Sequence, residues 1–434
     1  MIHLNPQAEE LNQILQRDNP AIYDLLSDKG KSAYFPKKGI IKQSAEAKGK
    51  AINATIGMAM EDDGSPMRLP IIAKKLNMDP AETFTYASSY GKPELRKAWQ
   101  ALIYKKNPSL TGRVSLPITT NALTHALSIA GFLFVNPGDK ILVTDKFWGN
   151  YRLIFEIGHG GMIVTFNTFA GDGFDVPALQ SALDNNPGKQ ILTLNFPNNP
   201  AGYTPTESEI DQITEILLKS AMKGNRLLVL IDDAYFGLVF KKGVFKESIF
   251  SKLAQLHENI LAVKVDGATK EDYVWGFRVG FLTYACKGIT EATCSALEEK
   301  TGGAVRGNIS NASHLGQSLV LAAINAPTYE AEKKSKYDLM KSRFDRVQQV
   351  LAQNSEKYSP VFRALPHNSG YFMCVQLNDD LDAESIRQTL LNKYDTGLIA
   401  VGNILRIAFS AVPADSIPVI FENMYQACME AKKK

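Results

Sequence analysis

Apolar and polar positions divide the chain into two textures. Through the first eighty or so residues Gly, Pro and charge are scattered without a period, so this stretch reads as irregular. From Thr85 onward helical periodicity alternates with short β-branched runs, which predicts an α/β layered domain. Ala122 to Phe134 is apolar on nearly every face and reads as a buried helix. Asn136-Pro-Gly-Asp139 reads as a turn. Strands are expected at Lys140–Thr144, Met162–Phe166, Gln190–Asn195, Leu227–Ile231, Ile260–Val265 and Val279–Tyr284. Most are near-continuous apolar runs, as a sheet covered on both faces requires. A helix over Glu207 to Met222 is expected between them, with Thr206 as its cap. A long charged helix from Thr328 to Ala352 reads as a connector, and shorter strand and helix units fill the rest to Lys434. There is no internal repeat and no low-complexity linker.

Composition narrows this picture without choosing a function. A chain of 434 residues exceeds one hydrophobic core, so two domains or three are expected. With 45% apolar and 21% charged residues it has ample material for a core. Lys+Arg is 48 and Asp+Glu 45, a net charge of +3, which makes no electrostatic case for nucleic acid or an anionic membrane. Cys286, Cys294, Cys374 and Cys428 are too few for a disulfide scaffold and lack metal-ligand spacing, so isolated thiols and no metal site are expected. The opening MIHLNPQAEELNQIL has no basic segment followed by an apolar one, as a secretory signal needs. The longest nearly apolar stretch, Ala122 to Val135, is too short to span a bilayer. A cytoplasmic location is the expectation. The terminal Lys432-Lys433-Lys434 reads as a solvated tail.

Ligands of open α/β sheets bind beyond the carboxyl ends of strands. Four expected strands are followed there by Trp148, by Asn199, by Asp232-Asp233-Ala-Tyr235, and by Asp266-Gly-Ala-Thr-Lys270. An indole, an amide, a carboxylate, a phenol and an amine at one locus suit a flat, charged, heteroaromatic cofactor better than a hydrolase triad. Each residue also has a plainer explanation. Most lysines lie exposed, most tryptophans pack in cores, Asn-Pro is a common turn, and Asp232 can end a strand. Asp233 competes with Asp232, although neighbours on a strand point to opposite faces.

Taken in order, Asn199-Pro200-Ala201-Gly202, Asp232 with Tyr235, and Lys270 with Arg278 resemble the class I/II aminotransferases, which are fold-type I pyridoxal 5'-phosphate (PLP) enzymes. The likeness runs from about Ile52 to Arg406. Its aspartate/aromatic flavour comes from Trp148-Gly-Asn, Asp232-Asp-Ala-Tyr235 and Arg306-Gly-Asn-Ile-Ser310-Asn311. The resemblance implies an α/β PLP-dependent transferase-like fold (the aspartate aminotransferase fold): a mostly parallel mixed sheet flanked by helices, with a smaller α/β domain. The expected division is 1–84 as N-terminal segment and part of the small domain, 85–326 as the large PLP-binding domain, and 327–434 as connector helix and small C-terminal domain.

The same resemblance assigns roles. Lys270 bonds to the cofactor aldehyde and moves a proton at the substrate carbon. Asp232 faces the pyridine nitrogen, Tyr235 and Asn199 face the phenolic oxygen, and Trp148 stacks on the ring. A cis Asn199–Pro200 peptide is implied. Arg278, Thr269, Thr124 and the backbone of Ala122 and Leu123 hold the phosphate at a helix start. Two departures appear there: Ala122-Leu123 stands where glycine or another small residue is common, and Gly267 where serine is common. Arg406 binds the substrate α-carboxylate, under the backbone of Gly57. Trp148 and Asn199 also border the substrate. Tyr86, in Tyr86-Ala-Ser-Ser-Tyr-Gly91-Lys-Pro-Glu-Leu-Arg96, reaches a partner's phosphate, as do Ser310 and Asn311. Tyr86 can equally be an aromatic packing locally at a helix start. Arg306 reaches a distal carboxylate across a homodimer; it lies in what reads as a mobile Gly-rich loop of Gly302, Gly303 and Gly307. The expected reaction moves an amino group from aspartate or an aromatic amino acid to a 2-oxo acid, 2-oxoglutarate foremost, by ping-pong chemistry.

Rival readings fare worse. His159-Gly-Gly resembles part of an oxyanion loop, but no G-x-S-x-G accompanies it. No G-x-G-x-x-G follows a strand, and zinc-type His or Cys pairs are lacking. Within the PLP fold a C–S lyase, a cyclopropane-forming synthase or a decarboxylase stays open, because fold does not settle reaction. A non-catalytic PLP-binding regulator would carry a DNA-binding domain, and the N-terminal stretch shows no helix-turn-helix or basic stripe.

Overall fold

The computed structural model describes residues 4–18, 20–35 and 39–433. A seven-stranded sheet forms its centre. In chain order its strands are β1 (Ile118–Asn121), β2 (Lys140–Thr144), β3 (Met162–Phe166), β4 (Lys189–Asn195), β5 (Arg226–Asp232), β6 (Ile260–Asp266) and β7 (Val279–Ala285). They lie in the order β1-β7-β6-β5-β4-β2-β3. Only β7 runs antiparallel to its neighbours. Six of the seven strands fall within a residue of expectation at each end, because a strand covered on both faces leaves a continuous apolar run. The seventh, β1, was not anticipated: Ile118-Thr-Thr-Asn121 is short, and two of its four residues are threonine.

Helix α1 (Pro93–Lys106) precedes β1, and α2 (Ala122–Phe134) follows it directly; α2 is buried over one face, while Phe132 near its end is exposed. Helix α3 (Glu207–Met222) has the Thr206 cap, completed as a capping box by Glu209. After β7 come α4 (Glu291–Ile309) and the connector helix α5 (Tyr329–Gln353). A second, antiparallel sheet follows, of β8 (Phe362–Ala364), β9 (Met373–Leu377), β10 (Ile399–Val401) and β11 (Ile404–Ile407), ordered β8-β9-β11-β10.

The N-terminal stretch is not irregular. Short helices span Pro6–Asp18, Pro20–Leu25, Asp28–Ser32, Ile40–Glu46 and Pro70–Lys74. Pro6, Pro20, Pro70, Pro80 and Pro93 each occupy a first helical residue, where a missing N–H costs nothing. Prolines that read as interruptions are helix starts. This stretch also joins the chain's other end, since Ile52–Asn53 pairs in parallel with Thr396–Gly397. Among the described residues no helix is long and apolar enough to cross a membrane.

Candidate active site

Beyond the carboxyl ends of β2, β4, β5 and β6 lies a cavity of about 310 Å3. Trp148, Asn199, Asp232, Tyr235 and Lys270 line it, the five groups that follow those strands. Ala122, Leu123, Thr124, Thr269 and Arg278 form one end, and Gly57 and Arg406 another.

Asp232 is the last residue of β5 and is buried. Its Oδ2 accepts from the Tyr151 hydroxyl at 2.6 Å and its Oδ1 from the Ala234 N–H at 3.1 Å. Burial pushes its pKa up, while the Tyr151 bond and the nearby Lys270 charge pull it down. Asp233 turns the other way, as strand alternation requires, and is held by Lys264 and by Ser248 Oγ at 2.6 Å. Lys270 sits in a one-turn helix, Ala268–Glu271, directly after β6. Its amine stands 4.9 Å from the centroid of the Tyr235 ring. Burial brings its pKa down to about 8; Asp232 opposes the change and Arg278 adds to it. Burial also pushes the Tyr235 phenol up, against the Arg406 charge.

The Asn199–Pro200 peptide is cis, and the Asn199 N–H donates to Asn195 Oδ1 at 2.7 Å. Asn195 Nδ2 in turn donates to the Asp232 carbonyl at 2.8 Å, so one side chain joins the ends of β4 and β5. Gly202 has φ +72, and a Cβ there would lie 1.8 Å from the Phe372 carbonyl oxygen; no other residue fits. Arg406, buried on β11, donates from Nη2 to the Thr55 carbonyl at 3.1 Å and from Nη1 to Asn199 Oδ1 at 3.5 Å. Its guanidinium lies 4.3 Å from the Phe372 ring centroid.

The end formed by α2 has the chemistry of an anion cradle. No side chain caps the first turn of α2. Arg278 is part-buried, with one long bond to the Trp275 carbonyl at 3.4 Å. Among the described residues Thr269 Oγ1, Trp275 Nε1 and Arg406 Nε are buried without a hydrogen-bond partner, three donors lining the cavity with nothing in the protein to satisfy them. This donor set, one carboxylate and one lysine fit PLP. The Gly267 departure has a packing cause. A Cβ there would meet the Val279 carbonyl oxygen at 2.6 Å, Gly280 Cα at 2.7 Å and Leu123 Cδ1 at 3.0 Å. Asp266, just before it, points away and accepts from Trp99 Nε1 at 3.1 Å.

Tyr86 and Arg306 do not reach this cavity within one chain. With Ser310 and Asn311 they line a separate surface hollow, where Tyr86 is 90% exposed. The mobile loop expected around Arg306 is instead the helix α4. Gly302 serves close packing there, since a Cβ would lie 2.6 Å from the Tyr90 ring. Sequence reasoning missed Tyr151, Asn195, Thr55, Trp275 and Phe372. Asn195 carried a signal, a polar residue ending an apolar strand; Tyr151 and Phe372 reach the site only through the tertiary fold.

The fold and the cavity fit the class of PLP-binding transferases. Residues 56–422 match the family model for aminotransferase class I and II, and the chain belongs to that family, whose members are PLP-dependent transaminases. It is 26% identical over 63% of its length to the probable N-acetyl-LL-diaminopimelate aminotransferase of Bacillus subtilis strain 168, covering 63% of that protein. It is 28% identical over 56% of its length to the aspartate aminotransferase of Sulfurisphaera tokodaii, covering 57% of it. The chain thus matches less than two thirds of the length of these curated relatives. Among solved structures, an aminotransferase from Anaerococcus prevotii superimposes with a TM-score of 0.83 at 23% identity, covering 93% of this chain and 99% of that one. A multiple substrate aminotransferase from Thermococcus profundus gives 0.78 at 16% identity, covering 95% and 99%. At these identities the structural likeness carries the fold.

Proposed function

We propose that this chain is a PLP-dependent aminotransferase acting as a cytoplasmic homodimer. It moves an amino group from aspartate or an aromatic amino acid to a 2-oxo acid such as 2-oxoglutarate, in two half-reactions. The observation that carries this reading is Lys270, its pKa near 8, in one cavity with Asp232 and Arg406. When bound, PLP supplies an aldehyde that takes up the amino group and a ring that accepts electrons from the substrate carbon.

Lys270, partly neutral near pH 8, is suited to accept the Cα proton and return it. The Asp232 carboxylate, whose anion the Tyr151 hydroxyl and the Lys270 charge favour against burial, would hold a proton at the ring nitrogen. Tyr235 and Asn199 would donate to the phenolic oxygen, and Trp148 would pack against the ring. Arg278, Thr269, Thr124 and the N–H groups of Leu123 and Ala122 hold the phosphate. Arg406 takes the α-carboxylate with two parallel bonds, and the Gly57 backbone closes over it. Residues 85–326 form the large domain; 1–84 and 327–434 supply a discontinuous small domain whose closure excludes water. Tyr86, Ser310 and Asn311 serve the partner's phosphate, and Arg306 the partner's substrate, a reading supported by a hollow with an almost fully exposed tyrosine.

An amino acid given alone should convert the lysine-bound cofactor to pyridoxamine phosphate without releasing ammonia. Ammonia release without an acceptor would make the protein a lyase. A panel of donors with 2-oxoglutarate, run on wild type and Arg306→Ala, tests the substrate. Dicarboxylates should lose about 30-fold or more in kcat/KM and aromatic donors little.

A further inference from the structure

The turn that presents Lys270 is gripped from behind by charges on two helices. Glu271 and Asp272, next in sequence, point away from the cavity, with side chains 8% and 1% exposed. Glu271 Oε1 lies 2.6 Å from Lys106 Nζ, at the end of α1, and 2.7 Å from Lys333 Nζ, on α5. Asp272 Oδ1 lies 3.3 Å from the same Lys333 Nζ and accepts from the Tyr329 hydroxyl, also on α5, at 2.7 Å. Its Oδ2 is buried with no partner among the described residues, so its charge rests on Lys333 and Tyr329. Two nearly buried carboxylates face two ammonium groups whose side chains are about a fifth exposed.

The same helix grips the substrate end. Two to three turns on from Lys333, the fully buried Arg343 donates to the Met60 and Ser410 carbonyls at 2.7 and 2.5 Å and to Asp62 at 2.8 Å. Lys336 pairs with Glu61 at 2.6 Å. Met60, Glu61 and Asp62 follow Gly57, and Ser410 follows Arg406. One helix thus holds both the lysine turn and the segments that carry the carboxylate-binding groups.

We propose that Lys333 is a positioning residue: by straddling Glu271 and Asp272 it fixes the Lys270 turn to the helix that also holds the Gly57 and Arg406 segments. The inference rests on Lys270 being the cofactor lysine. Without Lys333 two adjacent buried carboxylates share one ammonium, and either one takes a proton or the turn moves. The charge-balanced double variant Lys333→Met with Asp272→Asn removes the strap while leaving Glu271 paired with Lys106, which guards against a failure to fold.

The test uses holoenzyme of wild type, Lys333→Met and the double variant. Amide hydrogen exchange of the 268–273 peptide should quicken tenfold or more in both, with the 260–265 peptide unchanged. The pH midpoint of the lysine-bound cofactor's visible absorbance should move by half a unit or more, and kcat should fall about tenfold with KM held within twofold. Wild-type exchange and an unmoved midpoint in either folded variant would overturn the proposal. Borohydride reduction of wild type reads the underlying assignment separately: a label on a peptide lacking Lys270 defeats that assignment and the strap together, whereas a label on Lys270 with unmoved readouts defeats the strap alone.

Discussion

Replacing Gly267 by serine supplies the hydroxyl that related enzymes often carry, and the packing here says it will do harm. The new Cβ would stand 2.6 Å from a carbonyl oxygen and 2.7 Å from a Cα, both backbone atoms of β7. Ordinary contacts are about 3.5–4.0 Å, so β7 must retreat by about 1 Å. It has nowhere to go. Gly280 of β7 already meets the start of α2 so closely that its own Cβ would lie 2.6 Å from Ala122 C. Overpacking usually costs about 1–3 kcal/mol, and contacts with backbone place this case near the top. For the proposed large domain, residues 85–326, melting as one unit, about 2 °C per kcal/mol applies and Tm should fall by about 6 °C. Because the displaced atoms belong to the proposed phosphate cradle, PLP affinity should fall as well. Thermal unfolding of the cofactor-free protein and equilibrium dialysis with PLP measure the two effects. Adding Leu123→Ala should rescue little, since Leu123 is the most distant of the three contacts. A Gly267→Ser protein that melts within about 2 °C of wild type and binds PLP more tightly would refute the reasoning.

Three further outcomes are expected. The Lys270 pKa is lowered from 10.5 to about 8, so the unfolded chain binds more protons between those values, and this group's stability contribution, present above pH 10.5, is lost as pH falls through 8. Cofactor-free Lys270→Met should therefore be more stable than wild type by up to about 3 kcal/mol below pH 8, the gap closing toward pH 10.5 in urea unfolding; a gap independent of pH would contradict this. Tyr151→Phe removes the 2.6 Å donor to Asp232, a charge-assisted bond of about 1.5–3 kcal/mol, and should lower kcat about tenfold with KM little changed in steady-state kinetics. Arg406→Lys cannot make two parallel bonds and loses the stack on Phe372; kcat/KM should fall about 100-fold for every amino donor, and a loss confined to dicarboxylates would reassign the residue.

Legibility in the sequence followed the physics of each element. Strands buried on both faces announce themselves as apolar runs, and their ends also locate the groups just beyond them. That is why Trp148, Asn199, Asp232 and Lys270 could be picked out before any geometry was known. The N-terminal helices are mostly under eight residues, too short for periodicity, and their starting prolines resemble breaks. Tyr151 supports Asp232 from 81 positions away, a relation no local pattern encodes. The glycines of α4 read as a loop because helix propensity disfavours them; Gly302 packs close on Tyr90, whereas Gly303 and Gly307 face open space and are carried by the rest of the helix.

The cradle also reverses the usual assignment of glycine. Ala122, Tyr273 and Arg278 have φ of 61, 58 and 57, the left-handed region where glycine is normally placed. Gly267 and Gly280 instead stand where no positive φ requires them. At this spot close approach of backbones outranks conformational freedom. Gly280 can meet the Ala122 backbone only without a Cβ. Each left-handed residue costs about 1–2 kcal/mol, a few kcal/mol for the three together. A ligand at a hundred times its dissociation constant returns about 2.7 kcal/mol to the folded state, a comparable amount. Loaded and empty forms carry the same strain, so added PLP should raise Tm measurably, and Ala122→Gly should shift both forms alike, leaving the difference between them unchanged.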